Sequence, residues 1–185
     1  AGRVRVAGCI VTFRSDLEDV ARAAQSFKAA NLSTHLTVID NRSGPAYFEA
    51  LRDAVYSDRI IDSGANRGFG FGHNCGIRTA PVCDYYLVLN PDIVIHAGAL
   101  ERMVEFMDRN PDVGLAGPRI LNPDGSLQHL NKQLPTVFDL FARRFLPKAL
   151  QRLPWVRRRM DRYVMLDKGY DSVVDVPYVS GCFML

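Results

Sequence analysis

The 185-residue sequence has no run of about 18 consecutive apolar residues, so no segment reads as a membrane-spanning helix. Its first residues, Ala1-Gly2-Arg3-Val4-Arg5, lack the apolar core of a secretory signal, which makes a cytoplasmic location the expectation. The four cysteines, Cys9, Cys75, Cys83 and Cys182, show no C-x-x-C spacing, and three sit in apolar or small-residue company, as reduced structural cysteines do. The four histidines, His35, His73, His96 and His129, form no pair at helical or hairpin ligand spacing. That argues against a zinc site but leaves a histidine general base open. Two nucleotide-loop signatures are also missing. A G-x-G-x-x-G read from Gly68 meets His73, and read from Gly70 it meets Cys75; no G-x-x-x-x-G-K-[ST] occurs. Neither a nicotinamide enzyme nor a P-loop NTPase is favoured.

What is present suits one globular domain with a sizeable core, or one domain plus an appendage: 48% of residues are hydrophobic and 23% charged. Residues 5–13 are apolar and β-branched and predict a first strand. Ser15 and Glu18 stand at capping-box spacing, and Leu17, Val20, Ala21, Ala24 and Phe27 recur at three- and four-residue steps, predicting a helix that ends near Ala30-Asn31. A second strand is expected over 35–40. Pro45 then opens a helix, since its fixed φ suits a first helical position. Further strands are expected over 59–63, 85–90 and 113–117, with helices over 71–80 and 99–109. Five strands alternating with four helices, each strand too continuously apolar to have one face in water, predict an α/β fold. Its sheet is mostly parallel and is covered by helices on both faces. After Gly117 the pattern changes. Asn122-Pro123-Asp124-Gly125 between apolar runs is a hairpin signal, residues 138–160 read as helix in two pieces interrupted by Pro147 and Pro154, and 173–185 return to strand character. The expected division is an α/β domain over 1–130 and a basic helical segment with a returning strand over 131–185.

In open α/β sheets ligands gather beyond the carboxyl ends of the strands. Here those ends carry Thr12, Asp40, a glycine-rich stretch from Gly64 to Gly76, and Asn90-Pro91-Asp92. Each has a bland reading. The glycines can be steric relief in a strand-to-helix connection, and Asn-Pro-Asp can be turn chemistry with Asp92 capping the next helix. Four polar or flexible ends on one rim are more than turns need.

Together these residues resemble the family 2 glycosyltransferases of the GT-A (Rossmann-like) fold, and most closely their rhamnosyltransferase-like branch. The likeness rests on Val11-Thr12-Phe13, Val38-Ile39-Asp40-Asn41-x-Ser43, and Asn66-Arg67-Gly68-Phe69-Gly70 with Asn74 and Gly76. It continues through Leu89-Asn90-Pro91-Asp92 and through Gly117-Pro118 leading to Asp124-Gly125-Ser126-Leu127-Gln128. Leu134-Pro135-Thr136 and the run from Val179 to Met184 extend it. The resemblance implies that Thr12 and Asp40 contact the nucleoside of a nucleotide-sugar donor, dTDP-rhamnose being one such donor. It further implies that the loop with Asn66, Gly68, Phe69, Gly70 and Asn74 closes over the donor. Asp92 would hold Mg2+ or Mn2+ on the donor diphosphate, with Asn90 as its neutral, donor-orienting companion. The implied reaction is an inverting displacement onto a saccharide or lipid-linked saccharide acceptor. The base that completes it is expected in an acidic motif just beyond Leu185, so no catalytic base is assigned and the chain is expected to be cut at its C-terminus; Asp124, Asp171 and Asp175 read as turn or surface acids. Two rivals are a non-catalytic nucleotide-sugar binding fragment and a sugar nucleotidyltransferase. The second would want a glycine- and arginine-containing loop directly after the first strand, where Thr12-Phe13-Arg14-Ser15-Asp16 has no glycine.

The net charge of +3 hides an asymmetry. Residues 143–162 hold eight basic side chains against Asp161, a local +7 that leaves −4 for the remainder. Without a recognition motif, and with the rest of the chain acidic, nucleic acid is not the expected partner. Arg143, Arg144, Arg152, Arg157, Arg158 and Arg159 interleave with Leu146, Leu150, Leu153 and Trp155. That pattern suits either a solvated helical face or, the preferred reading, peripheral contact with the cytoplasmic face of a membrane.

Overall fold

The structure is a computed structural model that describes residues 3–130, 133, 136, 145–147, 153–163, 165 and 172–185. The chain falls into two compact units, Ala1–Pro118 with Gly181–Leu185, and Arg119–Ser180. The last residues, Gly181–Leu185, belong with the first unit because Phe183–Met184 pair with a strand of its sheet.

The sheet is built around strand β1 (Val4–Thr12), buried from Val6 to Thr12 and paired on both sides in parallel. Strand β2 (Thr34–Asp40) lies on one side and β4 (Cys83–Leu89) on the other, with β3 (Arg59–Asp62) beyond β2. The fifth strand, β5 (Phe183–Met184), pairs antiparallel with β4, giving the order β3-β2-β1-β4-β5. Residues 113–117 are therefore not the fifth strand. With Gly114 and Gly117 contributing no side chains and Leu115 48% exposed, that run gains little from strand packing. It meets the sheet's edge at one point only, where Ala116 and Leu185 exchange two backbone hydrogen bonds of 2.8 and 2.9 Å. Of the strand expected over 173–185, only Phe183–Met184 forms.

The helices α1 (Leu17–Lys28), α2 (Pro45–Ala54) and α3 (Phe69–Thr79) form the crossovers between parallel strands, and α4 (Ala99–Arg109) follows β4. Helix α1 buries Val20, Ala23, Ala24 and Phe27. Phe27 occupies the space that Gly8 leaves open: a Cβ there would stand 2.7 Å from the ring. Helix α3 lies on the opposite face, where a Cβ on Gly72 would meet Val11 at 2.6 Å and one on Gly76 would meet Cys9 Sγ at 2.5 Å. The cap of α1 is Asp16, which accepts from the Glu18 amide at 2.8 Å, and not Ser15. Ser15 is held outside the helix by its carbonyl, which accepts from the Tyr47 hydroxyl at 2.9 Å. The four cysteines are free thiols, and burial pushes Cys9 up to about 11, consistent with an inert core residue.

In the second unit, Asn122 and Ser126 close the expected hairpin (Asn122 N–H to Ser126 O, 2.7 Å) around Gly125 at φ +81, and Leu121 bridges Leu127. Helix α5 (Pro154–Tyr163) starts on Pro154 and buries Val156.

Candidate functional site

The strand register brings the predicted rim together. Thr12 is opposite Asp40, Asp40 opposite Asp62, and Ile10 opposite Leu89, so the carboxyl ends of β3, β2, β1 and β4 lie level. At the centre, Thr12 and Asp40 are buried, at 1% and 0% exposure. Their polar atoms are engaged within the protein. The Asp40 carboxylate accepts from the Ser43 amide (3.0 Å to Oδ2) and from the Ser43 hydroxyl. The Thr12 hydroxyl pairs with the Tyr47 hydroxyl at 2.8 Å. Burial is the main reason the Tyr47 phenol is raised above its usual range. Ser43 Oγ also accepts from the Arg14 amide at 2.8 Å, tying the loop after β1 to the loop after β2. In this structure Thr12 and Asp40 thus set the shape of the rim floor.

The glycine-rich loop is stitched to that floor. Asn41 donates through Nδ2 to the Gly68 carbonyl at 3.1 Å and accepts from Ser63 Oγ at 3.2 Å. Asn66 accepts from the Gly68 amide at 3.1 Å, a local turn that delivers Gly68, at φ +89, as the residue before α3. No side chain caps α3, so its first amides lack a side-chain partner. The glycines divide into two kinds. Gly72 and Gly76 serve helix–sheet packing, as described above, whereas Gly68 and Gly70 have nothing within 4 Å of a would-be Cβ and face open space. Phe69 (41% exposed) and Asn74 lie at the surface beside them. Phe69 meets the His73 ring edge-on at 4.3 Å and also lies 3.6 Å from a would-be Cβ of Gly181. His73 is 4% exposed with neither ring nitrogen hydrogen-bonded, and burial lowers it to about 4.

On the far side of β1, Asn90 continues β4 by donating its amide to the Cys182 carbonyl at 2.9 Å, and its own carbonyl closes a turn with the Ile93 amide at 3.4 Å. Asp92 follows Pro91 and is exposed. It does not cap the next helix: α4 begins at Ala99 with Gly98 before it, at φ +74. That removes the capping account of this acid, while its place within the Asn90–Ile93 turn stands. Among the described residues no group of three or more His, Cys, Asp or Glu side chains gathers around a metal-sized space. A hard divalent cation bound mainly by a ligand's phosphate oxygens and waters needs only one or two carboxylates from the protein, and an exposed Asp92 fits that demand.

Sequence reasoning singled out Asp40 and Thr12 but not their partners. Asn41 and Ser43 were visible only as members of a motif, and Tyr47, on α2, carried no signal. Asp124 accepts from the Ser126 amide at 2.9 Å and from its hydroxyl at 2.6 Å, the part of a turn acid; Asp171 lies outside the described residues. So do Arg143, Arg144 and Arg152 of the basic segment. On α5, Trp155 is 60% exposed, Arg157, Arg158 and Arg159 are exposed, and Arg157 approaches Asp161 at 3.9 Å. Among the described residues, no helix is long and apolar enough to cross a membrane.

Comparison with known proteins adds three findings. Residues 9–172 match the family model described as glycosyl transferase family 2. The N-acetylglucosaminyl-diphospho-decaprenol L-rhamnosyltransferase of Mycobacterium tuberculosis, in strains CDC 1551 / Oshkosh and ATCC 25618 / H37Rv, is 30% identical over 126 residues, covering 63% of this chain and 41% of that protein. This chain therefore spans about two fifths of the length of the curated relatives it matches. Among solved structures, the S. aureus protein TarS (residues 1–349) superposes with a TM-score of 0.53 at 15% identity, over 71% of this chain and 42% of that one. The mannosyltransferase PcManGT from Pyrobaculum calidifontis, solved with GDP-Man and Mn2+, gives 0.50 at 16% identity, over 66% and 37%.

Proposed function

This chain belongs to glycosyl transferase family 2, and from that premise we propose that it is the donor-binding part of a glycosyltransferase that moves a sugar from a nucleotide-sugar to a saccharide acceptor. The observation that carries the reading is Asp92, an exposed carboxylate with no capping role, placed on the same rim as the loops after β1, β2 and β3.

The donor lies along that rim. Its nucleoside rests over the floor shaped by Thr12 and Asp40, and the loop carrying Asn66, Gly68, Phe69, Gly70 and Asn74 covers it. Gly68 and Gly70 let the backbone approach, since neither position has a side chain or a neighbour in the way. Asp92 holds the divalent ion, Mg2+ or Mn2+, and Asn90 orients the donor from the same turn. Such an ion supplies charge neutralisation for a departing nucleoside diphosphate. In the displacement, an acceptor hydroxyl forms a bond to the anomeric carbon as the bond to the diphosphate oxygen breaks, and its proton passes to a carboxylate base. A rhamnosyl donor and a lipid-linked acceptor are the finer choices supported by the name of the mycobacterial relative. The basic helix α5, with exposed Trp155, supports contact with a membrane surface where such an acceptor resides.

Thermal shift against a panel of nucleotide-sugars, with and without Mn2+, tests this. A true donor at 100-fold over its Kd stabilises by about 2.7 kcal/mol, several degrees for a chain of this size. That stabilisation should depend on the metal in the wild type and lose the dependence in Asp92→Ala, whose exposed site leaves folding intact. Metal-independent behaviour of every nucleotide-sugar, or identical shifts in Asp92→Ala, would remove Asp92 from the reading.

A further inference from the structure

Helix α3 carries a second cysteine to the buried face of β1. Gly72, Cys75, Gly76 and Thr79 recur at three- and four-residue steps and so share one side of α3. On that side the glycines let the helix settle on the sheet: a Cβ on Gly76 would stand 2.5 Å from Cys9 Sγ and 3.1 Å from Cys9 Cβ. Cys75 is the preceding residue, and it packs against the buried cluster of Cys9, Val11 and Ile39. A disulfide needs Cβ atoms about 3.5–4.5 Å apart. The missing side chains at Gly72 and Gly76 bring helix and strand into that range beside Cys75.

The two thiols differ in their surroundings. Cys9 is fully buried, and burial is the chief reason its thiol is raised to about 11; Cys75 adds to the rise, so the two sulfurs lie within each other's electrostatic reach. Cys75 is half-buried, and Arg78, one turn further along α3, brings Nη2 to 3.9 Å from its Sγ. A partly exposed thiol beside a guanidinium is the setting in which cysteines react with electrophiles, whereas a thiol buried among apolar groups is inert toward reagents from solution. Cys9 is therefore open to attack only from within the protein, and Cys75 is the sulfur placed to make it.

From this arrangement we propose that Cys75 and Cys9 form an oxidisable dithiol, a modification site that pins α3 to β1 when a peroxide reaches Cys75. The Cys75 thiolate attacks one peroxide oxygen and the O–O bond breaks; hydroxide leaves and takes up the proton that the thiol released, and Cys75 is left as a sulfenic acid. The Cys9 thiol then attacks the Cys75 sulfur, the S–O bond breaks, and water leaves as the disulfide forms. The two sulfurs give up two electrons, and one hydrogen peroxide becomes two waters. This chemistry is separate from the donor rim and does not depend on the donor reading.

The test is peptide mapping of the whole chain after hydrogen peroxide treatment in the folded state. Remaining thiols are alkylated in urea, and the digestion is done without reductant. A peptide joining Cys9 to Cys75, lighter by two hydrogens than its parts and released by dithiothreitol, should be the main linked species, with Cys83 and Cys182 recovered alkylated. Because the new link constrains the unfolded chain, the oxidised protein should melt above the reduced one, and dithiothreitol should reverse the rise. In Cys75→Ser the rise should vanish and Cys9 should be recovered alkylated. The map of the wild type decides the pairing without any variant. Cys75 recovered as a sulfinic or sulfonic acid beside an alkylated Cys9, linkage to Cys83 or Cys182 in its place, or oxidation of Cys9 to the same extent in Cys75→Ser would overturn the proposal.

Discussion

His73 shows what burial does to a single side chain in this chain. Neither ring nitrogen has a hydrogen-bond partner, and desolvation alone lowers its pKa from 6.5 to about 4. The unfolded chain takes up this proton near 6.5 and the folded one only near 4, so the folded state is favoured fully above 6.5 and loses stability as pH falls from 6.5 through 4. The loss is at most about 3 kcal/mol. His73→Leu keeps the volume and removes the titration. In urea unfolding at pH 7.5 and pH 4.5, the drop in stability should be smaller for the variant by about 2 kcal/mol; parallel drops would mean that the imidazole is partnered in solution. Asp40 shows the limit of reading residues singly. A carboxylate closing an apolar strand marks the rim from sequence alone, but its engagement with Ser43 depends on a turn that brings position 43 back onto position 40, and only the D-x-x-S spacing hints at it.

Among the elements, α3 carries the clearest consequence. Three glycines in eleven residues would ordinarily weaken a helix by roughly 1 kcal/mol each against alanine, so each needs a reason. Gly72 and Gly76, one turn apart, let the helix lie directly on Val11, Cys9 and the Tyr86 hydroxyl, which would be 2.6 Å from a Cβ on Gly76. Overpacking of about 1–3 kcal/mol should exceed the gain in helix propensity, so Gly72→Ala and Gly76→Ala lower the melting temperature. Gly70 has no such neighbour. Gly70→Ala should therefore raise stability by about 0.5–1 kcal/mol while weakening nucleotide-sugar binding, if its openness serves the donor. Thermal melts of the three variants read the sign directly, and destabilisation by Gly70→Ala would show that the loop packs against something in the free protein. The sequence showed that α3 is glycine-rich but could not sort the glycines, since that depends on which face of the sheet the helix meets. The same holds for the edge of the sheet. Residues 113–117 and 183–184 are both apolar runs of strand character, and the choice between them rests on a long-range pairing with β4 that no local pattern encodes. The cap of α1 moved by one residue for an equally distant reason, the grip of Tyr47 on the Ser15 carbonyl.

For the whole molecule, the organising quantity is charge. The mostly parallel sheet and the rim of strand ends follow from hydrophobic periodicity and the alternation of strands with helices, which is why they were legible in the sequence; the order β3-β2-β1-β4 was not. Residues 143–162 carry +7 against −4 for everything else, a separation that periodicity cannot explain. Where this segment is described, α5 turns Val156 inward and leaves Trp155, Arg157, Arg158 and Arg159 exposed, so an aromatic ring and several cations occupy one short helix. Anionic headgroups attract each such cation by about 1 kcal/mol close to the surface, and an indole gains from the interface whatever the headgroup. Several cations acting together therefore predict selective and salt-sensitive binding. In flotation assays the chain should rise with vesicles containing phosphatidylglycerol at low salt, rise much less at 0.5 M salt, and stay with the pellet fraction when the vesicles are pure phosphatidylcholine. R157Q/R158Q/R159Q/R162Q should reduce the anionic binding by about tenfold or more, whereas Trp155→Ala should weaken it without changing its salt dependence. Equal flotation with neutral and anionic vesicles, or none with either, would reduce the arginines of α5 to a solvated face and detach the membrane from the proposed function.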